Sequence, residues 1–319
     1  KITTIDNATN STTSSCSSGI TIDSSAPLAA NTLAWVQTSP ANTTSLNTTW
    51  AASTSTDVST QTIEYFSDVT CTTSVSSQTL ATGVITHNFT AGSDAGTYWF
   101  NITSADAANN STTSICSPTS ISIDISFPAA ATAIAWVEVP NPINTTAITS
   151  GWTLGTATDI ANHRVEFFND GTCTGSVASS NTEGSAATSS SFTATNATTH
   201  SFRVVTIDTA GNETNSVCSN SKLIDTDSPT APTTLSWLEG TSTNLDPVNP
   251  QWVTSGSTDI ASQTLNIFQS STCGGGAVVN RTGLADNDTT ESYAGAISNN
   301  VYTFNITAID DAGNTTVSA

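Results

Sequence analysis

Residues 308–316 read AIDDAGNTT, and variants of this motif occur as TIDNATNST at 4–12, SADAANNST at 104–112 and TIDTAGNET at 206–214. The motif recurs about every hundred residues, and so do three other sets of positions: Trp50, Trp152 and Trp252; Cys71, Cys173 and Cys273; Cys16, Cys116 and Cys218. Self-similarity at a fixed period indicates an array of homologous units. A chain of 319 residues has room for about three of them.

Within each unit, apolar and polar residues alternate, which is the pattern of half-buried strands. Tyr98, Phe100 and Ile102 show this alternation, and it recurs at residues 200–204 and 302–306. No stretch combines a 3.6-residue period with helix caps. Short strands separated by Gly, Asn, Asp and Ser turns therefore predict an all-β chain of tandem β-sandwich domains.

The units resemble the fibronectin type III and immunoglobulin-like repeats of bacterial surface proteins. In the last unit, the resemblance rests on the Pro-containing linker 225–232, Trp252, Thr258-Asp259 and the hairpin 310–314. Related residues occur along essentially the whole chain. The resemblance implies Ig-like, fibronectin III-like sandwiches and a structural or adhesive role at a cell surface.

Short linkers ending in proline, at 23–27, 124–128 and 225–229, mark the expected domains. Residues 1–26 hold the terminal hairpin and strand of a preceding repeat, or a donor strand. Residues 27–126 and 127–228 form two repeats, and residues 229–319 form a third that lacks its last strand. Linkers this short favour domains arranged as a semi-rigid rod.

A sandwich without its last strand exposes backbone donors and acceptors, so we expect another segment to fill the gap. Two explanations stay open. Either the sequence is a window of a longer array, or subunits join head to tail by donating residues near 11–25 into the third domain of the preceding subunit.

The charge of the chain restricts its partners. The 25 acidic and 5 basic residues give a formal net charge of −20, which repels nucleic-acid phosphates and anionic lipid. No apolar run is long enough for membrane insertion. The expected partners are further copies of the chain or further repeats of a longer array, together with a glycan or a surface receptor.

Six cysteines at regular positions in a chain without methionine favour an oxidising compartment, at the cell surface or outside the cell. One disulfide per domain would join Cys71 to Cys116 and Cys173 to Cys218, leaving Cys16 and Cys273 for bonds between subunits. In the simplest seven-strand layout, however, these partners lie too far apart. A second pairing therefore stays open: Cys16 with Cys71, Cys116 with Cys173, and Cys218 with Cys273.

Three aspartates per unit are expected at one pole of each sandwich, where the linker, the loop after the second strand and the last hairpin meet. The trios are Asp23, Asp57 and Asp106; Asp124, Asp159 and Asp208; and Asp225, Asp259 and Asp310. Clustered carboxylates are suitable ligands for Ca²⁺, which would stiffen a domain junction. The alternative is that these aspartates cap turns without a metal. No cofactor is required by either interpretation.

Asn-x-Ser/Thr sequons mark candidate N-glycosylation sites. They are Asn10, Asn42, Asn47, Asn101, Asn110, Asn212, Asn280, Asn287, Asn305 and Asn314. The repeat motif itself generates the sequons at the four hairpin positions, so those four are the weaker candidates.

The sequence contains no Ser-His-Asp set, phosphate-binding loop or histidine metal motif, so we predict no catalytic residue and no enzymatic activity. The function predicted is a structural or adhesive repeat protein of an extracellular filament, fibre or stalk. The alternative is a spacer or carbohydrate-binding module of a secreted polysaccharide-degrading protein. Trp50, Trp152 and Trp252 are expected in the domain cores and not on a sugar-binding surface.

Overall fold

The computed structural model describes residues 1–319 and consists of β-strands, turns and loops. A helix that could cross a membrane is not among its elements. The chain divides into two compact units, Lys1–Ser126 with Thr209–Asn212, and Phe127–Asp208 with Glu213–Ala319. The first unit contains one sandwich core and the second contains two.

The first unit begins with an exposed hairpin of two strands, β1 (Thr3–Ile5) and β2 (Ser11–Thr13). No strand is present in the residues that follow, up to Asn31. Two isoleucines of this segment, Ile20 and Ile22, are 89% and 88% exposed. Apolar side chains this exposed gain nothing from the fold of their own chain.

The first sandwich packs a three-stranded sheet against a larger one. Its strands are β3 (Asn31–Trp35), β4 (Leu46–Ala51), β5 (Val58–Phe66), β6 (Ser74–Ala81), β7 (Thr86–Phe89), β8 (Thr97–Asp106), β9 (Ser111–Thr113) and β10 (Ile121–Ser122). The sheets have the orders β3-β4-β7 and β10-β8-β5-β6, and β9 also pairs with β8. All of these pairs are antiparallel.

Alternating burial produces the core between the two sheets. Strand β8 is buried at every second residue, with Tyr98, Phe100 and Ile102 pointing inward. Trp50 on β4 packs in the same core and is 3% exposed. Trp152 and Trp252 are 5% and 3% exposed, which confirms the predicted core role of this tryptophan set.

The second sandwich repeats this arrangement. Its strands are β11 (Thr132–Trp136), β12 (Ala147–Thr153), β13 (Ile160–Phe168), β14 (Val177–Gly184), β15 (Ser189–Thr193), β16 (Thr198–Asp208), β17 (Glu213–Asn215) and β18 (Lys222–Ile224). The sheets are β11-β12-β15 and β14-β13-β16-β17, and β18 pairs with β16. Two sheets with these connections form an Ig-like, fibronectin III-like sandwich, so the predicted fold class is confirmed.

The third sandwich has fewer strands: β19 (Thr233–Trp237), β20 (Pro250–Val253), β21 (Ile260–Phe268), β22 (Val279–Leu284), β23 (Thr303–Asp310) and β24 (Thr315–Val317). They form the sheets β19-β20 and β22-β21-β23-β24. Isolated bridges from Val248 to Tyr293 and from Gln251 to Thr290 stand where the first two sandwiches have β7 and β15. Residues 229–319 contain no counterpart of β10 or β18.

Candidate functional site

In the first sandwich, the segment around β10 is inserted between two other parts of the domain. On one side, Ile123 donates its N–H to the Gly96 carbonyl and accepts the N–H of Ala95, both at 2.9 Å. On the other side, Ala41 forms two backbone hydrogen bonds of 2.9 Å with the residues flanking Ile123. Ile121 and Ile123 are 0% and 1% exposed. The segment therefore closes the core and satisfies the backbone on both sides.

The second sandwich is closed in the same way. Ile224 on β18 is fully buried and accepts the N–H of Ala197 at 2.9 Å, and Ile143 supplies the two bonds on the opposite side. Lys222 occupies the position of Ile121. Its buried ammonium group donates to the carbonyls of Glu138 and Pro140 at 2.7 and 2.8 Å, and burial lowers its pKa.

The corresponding place in the third sandwich is an open cleft with a volume of about 680 Å³. It is lined by residues 239–246 and 296–302, together with Trp237 and Val248. Apolar side chains are exposed around it: Leu245 is 61%, Ile297 60% and Val301 59% exposed. The cleft thus lacks the strand that closes each of the other two cores.

The backbone that borders this cleft already has the conformation found beside the inserted strands. Asn299 has a φ of 62°, and the equivalent residues Ala95 and Ala197 have φ values of 58° and 54°. Left-handed backbone of this kind is uncommon for residues other than glycine. Its presence at the same position in all three domains indicates a preformed edge for a strand.

The disulfides follow the one-per-domain pairing. Cys71 pairs with Cys116 and Cys173 with Cys218, each with a Cα–Cα distance of 5.8 Å. This confirms that prediction, and the alternative pairing across domains is wrong.

The objection that the paired positions lie far apart assumed the simplest seven-strand layout. Instead, β9 ends after three residues and the chain crosses towards the start of β8, where Ser117 donates its N–H to Phe100 at 2.8 Å. The crossing brings Cys116 to the turn after β5, which carries Cys71.

Two cysteines, Cys16 and Cys273, are unpaired and exposed. Cys273 lies where Cys71 and Cys173 lie in the other sandwiches, and its thiol donates to the Phe304 carbonyl at 3.3 Å. The equivalent carbonyls, on Phe100 and Phe202, accept the N–H of the serine after Cys116 and Cys218. Cys273 therefore occupies the position that a disulfide-bonded cysteine has in each of the other two sandwiches.

Two of the predicted aspartate trios converge, and in each of these two trios all three residues belong to one compact unit. The ligand atoms of Asp23, Asp57 and Asp106 lie within 4.8 Å of one another, and so do those of Asp225, Asp259 and Asp310. They meet because β5 begins at Val58, opposite Asp106, and β21 begins at Ile260, opposite Asp310. In the remaining trio, Asp124 belongs to the first unit, whereas Asp159 and Asp208 belong to the second.

The hairpin aspartates cap their own turns. Oδ1 of Asp106 accepts the N–H groups of Ala108 and Asn110 at 2.8 and 2.9 Å, and Oδ2 accepts Nδ2 of Asn110 at 2.9 Å. These bonds, first of all the one from the Asn110 side chain, lower the pKa of Asp106. Asp6 makes the same three bonds in the exposed hairpin β1–β2, without a neighbouring trio. Turn capping therefore needs no metal, and calcium binding at the trios stays a prediction.

The hairpin asparagines also hold the linkers. Nδ2 of Asn110 donates to the carbonyl of Asp23 at 3.1 Å, and Nδ2 of Asn314 donates to Asp225 at 2.9 Å. Nδ2 of Asn212 donates to Asp124 at 2.9 Å. A glycan would be attached to this same nitrogen, so these three sequons are the least suited to modification.

The other sequons differ in exposure. Asn42, Asn47, Asn280 and Asn287 are exposed, whereas Asn101 and Asn305 are half-buried on central strands. Nδ2 of Asn280 donates to Asn266 at 2.7 Å. Glycosylation stays a prediction, and the exposed Asn42, Asn47 and Asn287 are its best candidates.

A tryptophan of the second sandwich lacks the partner that its counterparts have. Nε1 of Trp50 donates to Gln61 at 3.1 Å, and the same bond forms in the third sandwich between Trp252 and Gln263. In the second sandwich His163 occupies the glutamine position, and both Nε1 of Trp152 and Nδ1 of His163 are buried without a partner. Burial lowers the pKa of His163.

The missing strand of the third sandwich was predicted from the sequence, but the residues that line the resulting cleft were not. Residues 239–246 and 296–302 are loops, without the alternation that reveals strands. Aligning the loops of the three repeats would have placed residues 296–302 beside residues 92–98, which receive β10 in the first sandwich.

No protein-family model matches the sequence, and no curated protein matches it. Among solved structures, the FN1–FN3 domains of chicken CNTN1 are similar, with 12% sequence identity and a TM-score of 0.38. That match covers 92% of this chain and 99% of the CNTN1 chain. The sheets described above, and not this match, define the fold.

Proposed function

We propose that the chain is a non-enzymatic structural and adhesive repeat protein of an extracellular filament, fibre or stalk. The observation that carries the proposal is the open cleft of the third sandwich. A cleft that lacks its closing strand and is bordered by exposed apolar side chains is a site for an added strand, and strand addition joins chains end to end.

The disulfides support an extracellular location. Bonds such as Cys71–Cys116 and Cys173–Cys218 persist in oxidising compartments and are rare in the cytosol. The net charge of −20 keeps exposed surfaces from associating without specific contacts.

No observation favours the carbohydrate-binding alternative. Sugar recognition by aromatic stacking needs exposed rings, but Trp50, Trp152 and Trp252 are 3–5% exposed.

Electron microscopy of native material tests the proposal. We expect a continuous polymer whose axial repeat corresponds to three sandwich domains. Short particles of uniform length, at every protein concentration and in oxidising buffer, would contradict the filament role. Binding of soluble oligosaccharides to such particles would instead support a carbohydrate-binding module.

A further inference from the structure

The occupant of the cleft can be identified from the chain itself. Resting on the filament proposed above, we infer that residues 16–24 of a second copy enter the cleft as a strand. We further infer that Cys16 of that copy forms a disulfide with Cys273.

The donor segment repeats the sequences that close the other two sandwiches. Residues 16–24 read CSSGITIDS, residues 116–126 read CSPTSISIDIS, and residues 218–228 read CSNSKLIDTDS. The spacing from Cys16 to Ile22 equals that from Cys218 to Ile224. Its two isoleucines are almost fully exposed in their own chain, whereas Ile121, Ile123 and Ile224 are at most 1% exposed.

The second sandwich gives the register of the docked strand. There Ile224 lies opposite Thr198 and Lys222 opposite His200. Transferred to the third sandwich, Ile22 lies opposite Asn300 and Ile20 opposite Tyr302. The N–H of Asn299 then donates to the Ile22 carbonyl, as that of Ala197 does to Ile224.

Ser17 fixes the other end of the donor segment. Ser117 and Ser219 donate their N–H groups to the Phe100 and Phe202 carbonyls, both at 2.8 Å. Their hydroxyl oxygens accept the N–H of the same phenylalanines, at 3.3 and 3.0 Å. If Ser17 makes the equivalent bonds to Phe304, Cys16 reaches Cys273 as Cys116 reaches Cys71.

The disulfide forms by oxidation of two thiols. A low-molecular-weight disulfide accepts the two electrons and two protons that Cys16 and Cys273 lose, and it leaves as two thiols. The bond therefore forms in the same oxidising environment as the bonds within the chain.

The hairpin β1–β2 takes no part in the docking. It repeats the hairpin β23–β24, which already occupies the corresponding place in the acceptor. The donor hairpin must therefore lie outside the acceptor sandwich, and removing residues 1–14 should leave the joint intact.

The experiment uses the purified chain of 319 residues with oxidised glutathione. We expect a ladder of multiples of 32.6 kDa on non-reducing gels and a Cys16–Cys273 peptide by mass spectrometry. Cys16→Ser and Cys273→Ser should each abolish the ladder. Ile20→Asp/Ile22→Asp should reduce it at least about tenfold per isoleucine, because each side chain loses its burial.

The matched control is Ile2→Asp/Ile5→Asp, which changes two isoleucines of the dispensable hairpin that are also exposed, at 76% and 64%. This variant and the chain without residues 1–14 should assemble normally. A purely monomeric wild-type chain, or a ladder that persists in Ile20→Asp/Ile22→Asp, would overturn the inference.

The subunit mass and the disulfide-linked peptides of native filaments distinguish a failure of this inference from a failure of the proposed function. Filaments whose reduced subunit is far heavier than 32.6 kDa, beyond attached glycans, and whose peptides lack the Cys16–Cys273 bond would leave the function standing. They would show instead that the cleft is filled by the same longer chain. Absence of filaments would remove the function itself.

Discussion

Removing the Cys173–Cys218 disulfide should lower the free energy of unfolding of the second sandwich by about 4 kcal/mol. The two cysteines are 45 residues apart. In the chain-entropy model, a loop of that length removes about 13 cal/mol/K from the unfolded chain, or about 4 kcal/mol at 25 °C. Domains have total stabilities of about 5–15 kcal/mol, so the loss is large. The expected fall in melting temperature is roughly 15–30 °C.

The chain supplies its own controls for this measurement. The variant is Cys173→Ala/Cys218→Ala, measured by urea titration with hydrogen exchange on β13 and β16. Cys71→Ala/Cys116→Ala opens a loop of the same length and should destabilise the first sandwich equally. The third sandwich has no disulfide within the chain and should be unaffected. A loss below about 1 kcal/mol, or an equal loss in the third sandwich, would refute the entropic argument.

Further predictions concern single side chains. His163→Gln should give Trp152 a hydrogen-bond acceptor and raise the stability of the second sandwich by about 1 kcal/mol in urea titration. Because the pKa of His163 is lowered on folding, the wild type should lose stability as the pH falls below about 6.5, and the variant should not show this loss. Asp106→Ala should lower the urea midpoint of the first sandwich. Because hydrogen bonds lower the pKa of Asp106, its contribution is present above about pH 4 and should disappear on acidification through its folded pKa. If the trio of Asp106 binds calcium, EDTA should lower the melting temperature of the wild type but not of Asp57→Asn, and an unchanged wild type would leave turn capping as its role. Glycopeptide mapping should find glycans at Asn42 before Asn110, whose Nδ2 is already bonded.

The fold class could be predicted because two strong local signals agree. Strict alternation along Tyr98, Phe100 and Ile102 requires one face of β8 to be buried. The recurring motif predicts a hairpin because its aspartate caps the turn and the residue before its asparagine has a positive φ, as in Asn109 (69°) and Gly313 (88°).

The lining of the cleft and the path of the disulfides could not be predicted in this way. The disulfides depend on where the chain goes after β9, and a three-residue strand followed by an irregular crossing leaves no periodic trace. The cleft lies between loops, which also leave no periodic trace. No pattern in the sequence indicates that His163 stands where the first and third sandwiches have a glutamine bonded to tryptophan. The role of Gln61 becomes apparent only when its bond to Trp50 is seen.

The disulfides also limit how far the protein can be stretched. A domain that unfolds under tension lengthens only by the residues outside its covalent loop. Cys71 and Cys116 are 45 positions apart, so about 150 Å of chain, at 3.3–3.6 Å per residue when extended, cannot be pulled out while the disulfide is intact. The third sandwich, with Cys273 unpaired, would release its full length and act as the most extensible link. A bond from Cys273 to a neighbouring copy would carry the load across that domain and remove this weakness.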